Sequence, residues 1–204
     1  DTEHDPHTST HGFWYSHVGW FLNQQNFSTR KEIIKDWLKF PEIVWLDRFS
    51  FVIVLITAFA IYLLGDWLAF AYPNLGTSGP QLLVWGFVVS TLLLIHATLC
   101  INSLAHLYGR RDFDTKDNSR NNLFLSIITL GEGWHNNHHY YAGSTRQGFF
   151  WWQIDITYYV LKGMSFCGLI WAIKPVPQRI YDAHKTHLND LKNKIDKMSD
   201  GGIS

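Results

Sequence analysis

Two long apolar runs constrain the fold of this chain more than any other feature. Residues 49–70 contain a single charged side chain, Asp66, and residues 81–101 contain none. Each run is long enough for a helix to cross the roughly 30 Å hydrocarbon core of a bilayer. Residues 71–80, AYPNLGTSGP, lie between them and are rich in proline and glycine, which favours a turn. The pattern predicts a hairpin of two transmembrane helices; one run alone would equally fit a buried helix of a large soluble protein.

Composition favours a membrane location and excludes other classes. The chain has ten Trp and fourteen Phe, and aromatic side chains are enriched where proteins meet the membrane interface. The formal net charge is zero, which gives no electrostatic case for nucleic acid as a partner. Both cysteines, Cys100 and Cys167, lie in apolar runs and are interpreted as small buried side chains. Without a CxxC pair, the sequence argues against a thiolate zinc or iron–sulfur site.

Lysine and arginine predict the orientation of the hairpin. The turn at 71–80 has none, residues 1–48 have five and residues 102–204 have twelve. Cytoplasmic segments carry the excess of these residues, so both termini are predicted to be cytoplasmic. The same side then holds all the histidine-rich segments.

Three further segments are assigned by their patterns. Lys31, Lys35 and Lys39 recur every four residues among apolar side chains, which predicts an amphipathic surface helix that ends at Pro41. Residues 149–173 are apolar but include Asp155 and Lys162. A third span there would place a lysine-rich C-terminus on the non-cytoplasmic side of the membrane. We therefore predict an interfacial helix that covers the functional site expected in the histidine-rich segments.

The remaining boundaries complete an all-α integral membrane architecture. Residues 180–204 are expected to form a polar, frayed tail, in which His184 and His187 are solvated. The sequence shows no internal repeat, so residues 1–204 are predicted to form one domain. Its transmembrane hairpin is accompanied by cytoplasmic and interfacial helices that carry a histidine-rich metal site.

A cluster of histidines is the strongest sign of chemistry. His135, His138 and His139 fall within five residues, and in a helix they share one face. Asn102 and His106, also four residues apart, lie at the inner end of the second run. Neutral imidazole suits iron, copper, zinc and nickel. The alternative is a solvated surface cluster in a histidine-rich chain.

Known metal-binding sequence motifs only partly identify the kind of metal site. The zincin pattern His-Glu-x-x-His is absent, and a structural zinc prefers thiolates or four closed ligands. Glu132 and His135 match the Glu-x-x-His element of carboxylate-bridged di-iron bundles, but only one copy is present. A haem-binding bundle needs facing histidines within the spans, where only His96 lies.

Three strings carry a family resemblance. NSLAH (102–106), GEGWHNNHH (131–139) and the opening DTEHDPH…GFWYSHVGW resemble the membrane-bound fatty acyl desaturases. Over residues 1–180 the chain is most similar to the acyl-CoA Δ9 (stearoyl-CoA) type of bacterial style. The resemblance implies two non-haem iron ions that use O₂ and two electrons to place a cis double bond, at Δ9, in a saturated fatty acyl thioester. It also implies an electron donor such as ferredoxin or cytochrome b5, surrounding membrane lipid and the bacterial inner membrane.

The same resemblance assigns individual residues. By position in the motifs it implies four iron ligands, His106, His135, His138 and His139, and one ligand acting through water, Asn102. It places His7 at the thioester headgroup, Thr98 near the substrate channel, and Glu132 and Trp134 as supports of the ligands.

Two departures from the family pattern matter. The family has two histidine boxes before the HNNHH at 135–139, namely HxxxxH and a first HxxHH, and neither of these earlier boxes is in this sequence, which starts where the first HxxHH should end. We therefore expect a C-terminal fragment that lacks a first hairpin and is inactive alone. After His17 and Trp20, residues 21–25 read FLNQQ, without the basic residues that contact CoA phosphates in animal enzymes. Acyl carrier protein or lipid-linked acyl chains thus remain open as substrates.

Two other functions remain open from the sequence. A hydroxylase or ketolase with the same histidine boxes would have a similar ligand count. A non-catalytic membrane protein that binds or transports a metal is a further alternative, although only His96 and Asp66 are polar ligands inside the spans.

Overall fold

The fold is helical throughout the described chain. The computed structural model describes Pro6 and residues 9–200, except for the side chains of 191, 194 and 197–200. No strand occurs within these residues, which confirms the predicted all-α class. The helices are α1 (Pro41–Arg48), α2 (Ser50–Ala71), α3 (Gly79–Leu107), α4 (Leu123–Ile128), α5 (His135–Tyr140), α6 (Ile156–Phe166) and α7 (Gln178–Asp200).

The chain divides into two compact units. Residues 23–96 form one unit, which contains α1, α2 and most of α3. Residues 1–22 and 97–204 form the other, which contains the end of α3 and every later helix. The prediction of a single domain over 1–204 is not tested by this division and stays a prediction.

Helices α2 and α3 are the two predicted membrane helices. They have 22 and 29 residues, and both are long and apolar enough to cross a membrane. Helix α3 widens into π-helical turns over Leu83–Val89 and returns to α-helix at Ser90–Leu107. It therefore runs beyond the predicted end at residue 101 and includes the NSLAH motif.

The turn between α2 and α3 is closed by a backbone contact and a carboxylate. Asp66 Oδ1 accepts the N–H of Gly79 at 2.9 Å. A Cβ at Gly65 would lie 2.6 Å from the carbonyl oxygen of Ser78, so the chains approach closely only because Gly65 has no side chain. Asp66 is thereby explained as a cap of the hairpin turn.

The predicted amphipathic helix around Lys31–Lys39 is wrong. This segment forms turns and a short 3₁₀ turn at Trp37–Lys39. Pro41 begins α1 rather than ending a helix. Proline is well suited to the first helical position, because its missing N–H has no intrahelical partner there.

Two C-terminal predictions are also corrected in their bounds. Within 149–173 only α6 (Ile156–Phe166) is helical, and it begins where the Asp155 side chain caps it by accepting the N–H of Tyr158. The polar tail predicted at 180–204 belongs to α7, which begins at Gln178. His184 on α7 is buried rather than solvated. The interfacial position of α6 stays a prediction.

Two small apolar clusters support the histidine-bearing unit. Ile101 and Ala105 of α3 pack on Leu125 of α4. The other cluster joins one residue from each of three segments, Phe113, Phe149 and Ile180. The first cluster fixes the end of α3, and the second secures α7 to the loops around α5.

Candidate metal centre

Three imidazoles converge in the histidine-bearing unit. His106 lies on the last turn of α3, and His135 and His139 lie on α5. One ring nitrogen from each lies within 4.8 Å of the others, and Nε2 of His106 is 3.0 Å from Nε2 of His135. Metal–nitrogen bonds of about 2.1 Å place neighbouring ligand nitrogens about 3 Å apart. The spacing therefore fits two imidazoles on one metal ion.

Burial keeps His135 in the form that binds metals. Burial first, and then the neighbouring imidazoles of His139, His106 and His138, lower the pKa of His135 from 6.5 to about 2. A metal binds the unprotonated ring nitrogen of histidine. His135 is therefore ready to bind a metal at any pH near neutrality.

His138 lies beside this cluster. Its ring centroid is 6.2 Å from that of His135 and 5.9 Å from that of His139. Burial, and then His139, lower the pKa of His138, so its ring is also held neutral. Of the four predicted histidine ligands, the structure brings three together and leaves His138 adjacent.

The first asparagine between the histidines binds α5 to the preceding loop. Asn136 is completely buried. Its Oδ1 accepts the N–H groups of Asp112 at 2.9 Å and Phe113 at 2.8 Å, and its Nδ2 donates to the Phe113 carbonyl at 3.0 Å. The loop that follows α3 is thus bonded directly to the helix that carries His135 and His139.

The second asparagine joins α5 to a buried polar network. Asn137 Nδ2 donates to the Gln147 carbonyl and to Gln153 Oε1, both at 2.8 Å, and its Oδ1 accepts from Asn121 Nδ2 at 2.7 Å. Asp112 Oδ2 closes the network by accepting from Asn121 and Gln153. A buried network whose members are all partnered specifies one arrangement of its elements, so it fixes the position of α5.

A close backbone approach positions the turn before α5. A Cβ at Gly133 would collide with the backbone nitrogen of Ser126 and the carbonyl oxygen of Asn122. In addition, the Asn122 N–H donates to the Gly133 carbonyl at 2.8 Å. Only glycine fits at 133, which explains the second glycine of GEGWH in physical terms.

The two predicted supporting residues differ in the structure. The Trp134 indole Nε1 donates to the Ile154 carbonyl at 2.7 Å, and the Trp134 carbonyl accepts the N–H of His138 at 3.2 Å. Glu132 is exposed, and within the described chain its carboxylate makes no hydrogen bond to a histidine. Trp134 thus supports the start of α5 through the backbone rather than through an imidazole ring.

The other predicted residues lie mainly on α3. Asn102 is half-buried one turn before His106, and Thr98 is exposed one turn earlier. Their spacing of four residues places all three on one face of the helix. His7 lies outside the described residues. The roles of Asn102, Thr98 and His7 stay predictions.

One contact absent from the sequence predictions involves His17. This residue is buried, and its Nδ1 is 3.0 Å from Oγ of Ser103. The Ser103 hydroxyl donates its single hydrogen to the Leu99 carbonyl at 3.0 Å. Its oxygen therefore accepts a hydrogen bond from the Nδ1–H group of His17. The bond attaches the N-terminal segment to α3 one turn before His106.

A second unpredicted contact involves Asp117. Its Oδ2 is 2.6 Å from Nδ1 of His139. The string Asp117-Asn118-Ser119 is typical of a turn in which an aspartate accepts a nearby backbone N–H, so the sequence does mark an ordered loop. The partner lies 22 residues away, beyond the range of any local pattern.

This donor set fits a histidine-ligated transition metal. Neutral imidazoles suit iron, copper, zinc and nickel, and no cysteine belongs to the cluster found among the described residues. Four histidines, with Asn102 on the same face as His106, can supply part of the ligands of an iron centre.

Comparison with known proteins decides the family. The profile of the fatty acid desaturase family matches residues 1–176. The chain belongs to the fatty acid desaturase family.

Several curated relatives of this desaturase-family chain share about a third of its residues. It is 36% identical over 197 residues to an acyl-CoA 5-desaturase of Anemone leveillei, covering 95% of this chain and 57% of the relative. It is 35% identical over 173 residues to the sn-2 palmitoyl-lipid 9-desaturase of Nostoc, covering 83% and 56%. It is 38% identical over 177 residues to the Delta-9 acyl-lipid desaturase 2 of Arabidopsis thaliana, covering 85% and 53%.

These relatives support a coarser assignment than the sequence prediction. The chain spans about half the length of the curated relatives it matches. Their names include both acyl-CoA and acyl-lipid desaturases and both 5- and 9-positions. The desaturase family is therefore confirmed, and with α2 and α3 it makes this a membrane protein; the Δ9 type and the bacterial style are not confirmed.

Proposed function

We propose that the protein carrying this chain desaturates a fatty acyl chain with O₂, and that His106, His135, His138 and His139 hold part of a non-haem di-iron centre. The observation that carries the proposal is the convergence of three imidazoles within 4.8 Å at the end of a membrane-length helix. Asn102 is proposed to reach the metal through a water. Thr98 and His7 are proposed to contact the substrate.

We propose that the residues of this chain hold the metal, orient its histidine ligands and exclude water from the site. Imidazoles bind a metal through an unprotonated ring nitrogen, and Asn136 and Asn137 fix the helix that carries three of the four. When bound, the iron supplies the O₂-dependent oxidation that no protein acid or base can achieve on an unactivated C–H bond. The overall reaction consumes one O₂, two electrons and two protons, removes two hydrogens from the acyl chain and releases two waters.

The finer assignments belong to this proposal as well. The substrate is a saturated acyl group on CoA, acyl carrier protein or a lipid, and the product carries a cis double bond at Δ9. A ferredoxin or cytochrome b5 supplies the electrons. Both termini face the cytoplasm of a bacterial inner membrane, as the distribution of lysine and arginine predicts.

The test is the fatty acid composition of a desaturase-deficient host that expresses the full-length gene. Gas chromatography should detect a new monounsaturated fatty acid with the double bond at Δ9. His138→Ala should lower that product at least about 100-fold, because it removes a metal ligand. His187→Ala is the matched control, since His187 lies on α7 away from the three-histidine cluster.

The products distinguish the alternatives. A hydroxy fatty acid would indicate a hydroxylase built on the same boxes. Purified protein that binds metal but consumes no O₂ with an acyl substrate and reductant would support a non-catalytic role in metal binding or transport. Unchanged lipids with both the wild-type and the His138→Ala gene would contradict desaturation.

A further inference from the structure

The contact between Asp117 and His139 joins a loop carboxylate to a proposed metal ligand. Oδ2 of Asp117 lies 2.6 Å from Nδ1 of His139, and both side chains are mostly shielded from solvent, with 17% and 24% of their surface exposed. An ion pair between solvent-exposed side chains contributes little to stability. The short distance and the shielding point instead to an interaction that orients one particular ring.

Asp117 is itself held in place by its own loop. Its Oδ1 accepts the backbone N–H of Ser119 at 2.9 Å, so each carboxylate oxygen has a different partner. Ser119 is completely buried, and its hydroxyl lies 3.2 Å from that of Thr115. A carboxylate accepts hydrogen bonds through both oxygens, so Asp117 can receive one bond from Ser119 and another from His139.

The loop and helix are also bonded at a second point. Asn136, three residues before His139 on α5, accepts the backbone N–H groups of Asp112 and Phe113. The carboxylate of Asp117 thus comes from a loop whose position relative to α5 is already fixed. Such a carboxylate can select the ring orientation of His139 without ordering a flexible side chain first.

We propose that Asp117 is a positioning residue that accepts a hydrogen bond from the Nδ1–H group of His139. This bond presents Nε2 of the same ring to the cluster with His106 and His135. A neutral imidazole carries one proton and one lone pair. If Nδ1 donates to Asp117, the lone pair is on Nε2. Carboxylates that accept from a ligand histidine in this way fix its tautomer and raise its basicity. This inference rests on the proposed metal centre and adds a residue that the sequence motifs do not mark.

The tautomer provides a test that needs no metal and no turnover. In the full-length protein with ¹⁵N-labelled histidine, NMR should show the proton of His139 on Nδ1 in the metal-free wild type. Asp117→Ala should shift the ring toward the Nε2-protonated form. The matched control is Asp114→Ala, which removes the same charge from the same loop. Asp114 is 90% exposed and contacts Arg111 at 3.6 Å.

Metal affinity provides the functional readout. Competition with a chelator should show iron binding about 10–100-fold weaker in Asp117→Ala, and no change in Asp114→Ala. Asp117→Asn keeps an oxygen acceptor without the charge, so its affinity should be intermediate. A purely structural role would lower the thermal midpoint of unfolding in Asp117→Ala and leave the tautomer and the affinity of the folded protein unchanged.

The outcomes separate this inference from the proposed function. If the wild type binds iron and Asp117→Ala binds it equally well with the Nδ1 proton retained, Asp117 does not position His139 and the metal centre still stands. If the wild type binds no metal and His138→Ala changes nothing, both proposals are overturned.

Discussion

The hairpin unit and the histidine-bearing unit are built on opposite principles. In the hairpin, large apolar side chains such as Phe59 and Trp67 face outward and are more than half exposed. In the histidine-bearing unit, the completely buried residues include the amides Asn136 and Asn137. Hydropathy specifies the first, because lipid can solvate its surface. Long-range hydrogen bonds specify the second, and these depend on exact partners.

The largest expected effect is in the buried amide network. Asn137→Leu keeps the number and branching of the side-chain heavy atoms but removes the hydrogen bonds to the Gln147 carbonyl, Gln153 Oε1 and Asn121 Nδ2. Each lost hydrogen bond costs about 0.5–1.5 kcal/mol, and a buried group left unpaired, here the Gln147 carbonyl, costs about 1–3 kcal/mol. We therefore expect a loss of roughly 4 kcal/mol in the free energy of unfolding and loss of bound iron. Thermal unfolding and iron analysis of the purified full-length protein measure both.

Asn189→Leu is the control for this change, because Asn189 is exposed on α7. Its stability should stay within about 0.5 kcal/mol of the wild type. Equal losses of stability in the two variants would mean that the buried amide network does not stabilise the histidine-bearing unit.

The second prediction compares one leucine from each unit. Leu125 packs on α3 in the core and is 1% exposed, whereas Leu93 on α3 is 68% exposed. Leu125→Ala should lower the free energy of unfolding by about 3 kcal/mol through lost burial and a residual cavity. Leu93→Ala should cost less than about 0.5 kcal/mol. Denaturant titration in a fixed detergent tests the pair, and similar losses would remove the contrast between the units.

The third prediction concerns the hairpin turn. Asp66→Ala removes the acceptor for the Gly79 N–H, and the net loss of such a bond is about 1–1.5 kcal/mol. Hydrogen exchange at that amide should therefore become about 10-fold faster. Asp66→Asn retains an oxygen acceptor and should exchange at nearly the wild-type rate. If Asp66→Ala exchanged no faster, the turn would be held by the close approach at Gly65 alone.

The smallest effect concerns His184 on α7. Its ring lies 4.5 Å from that of Phe150, and burial lowers its pKa below 6.5. The unfolded chain then binds the proton more readily, so stability is complete above about pH 6.5 and decreases as the pH falls below it. Melting curves should show a decrease of at most about 3 °C between pH 7.5 and 5.5, and His184→Phe should abolish that portion.

The sequence predicted the hairpin well because the signal is local. The run 49–70 became Ser50–Ala71 almost residue for residue. The second helix began near the predicted position but continued to Leu107, since NSLAH contains neither proline nor glycine to end it. The Lys31–Lys39 pattern failed because a regular spacing of lysines describes a face without supplying packing to hold a short helix.

In the histidine-bearing unit, the sequence predicted the histidine cluster but not the residues that support it. His106, His135 and His139 were identified from their spacing and the family motifs, and they converge. The supports Asp112, Asp117 and Gln153 contact residues 16–41 positions away, across loops whose course no period describes. The burial of His184 was missed for the same reason, since its aromatic neighbours come from distant segments.

The length of α3 has a consequence for how a substrate reaches its histidine. With 29 residues the helix measures about 43 Å, about 13 Å more than the hydrocarbon thickness of a bilayer. If its first turn marks one face of the hydrocarbon, Asn102 and His106 project beyond the other. Under the proposed function, a carbon in the middle of an acyl chain would then leave the lipid to meet His106. At about 0.8 kcal/mol per methylene, moving nine methylenes into water would cost about 7 kcal/mol, so the proposed function requires an apolar protein surface along that path.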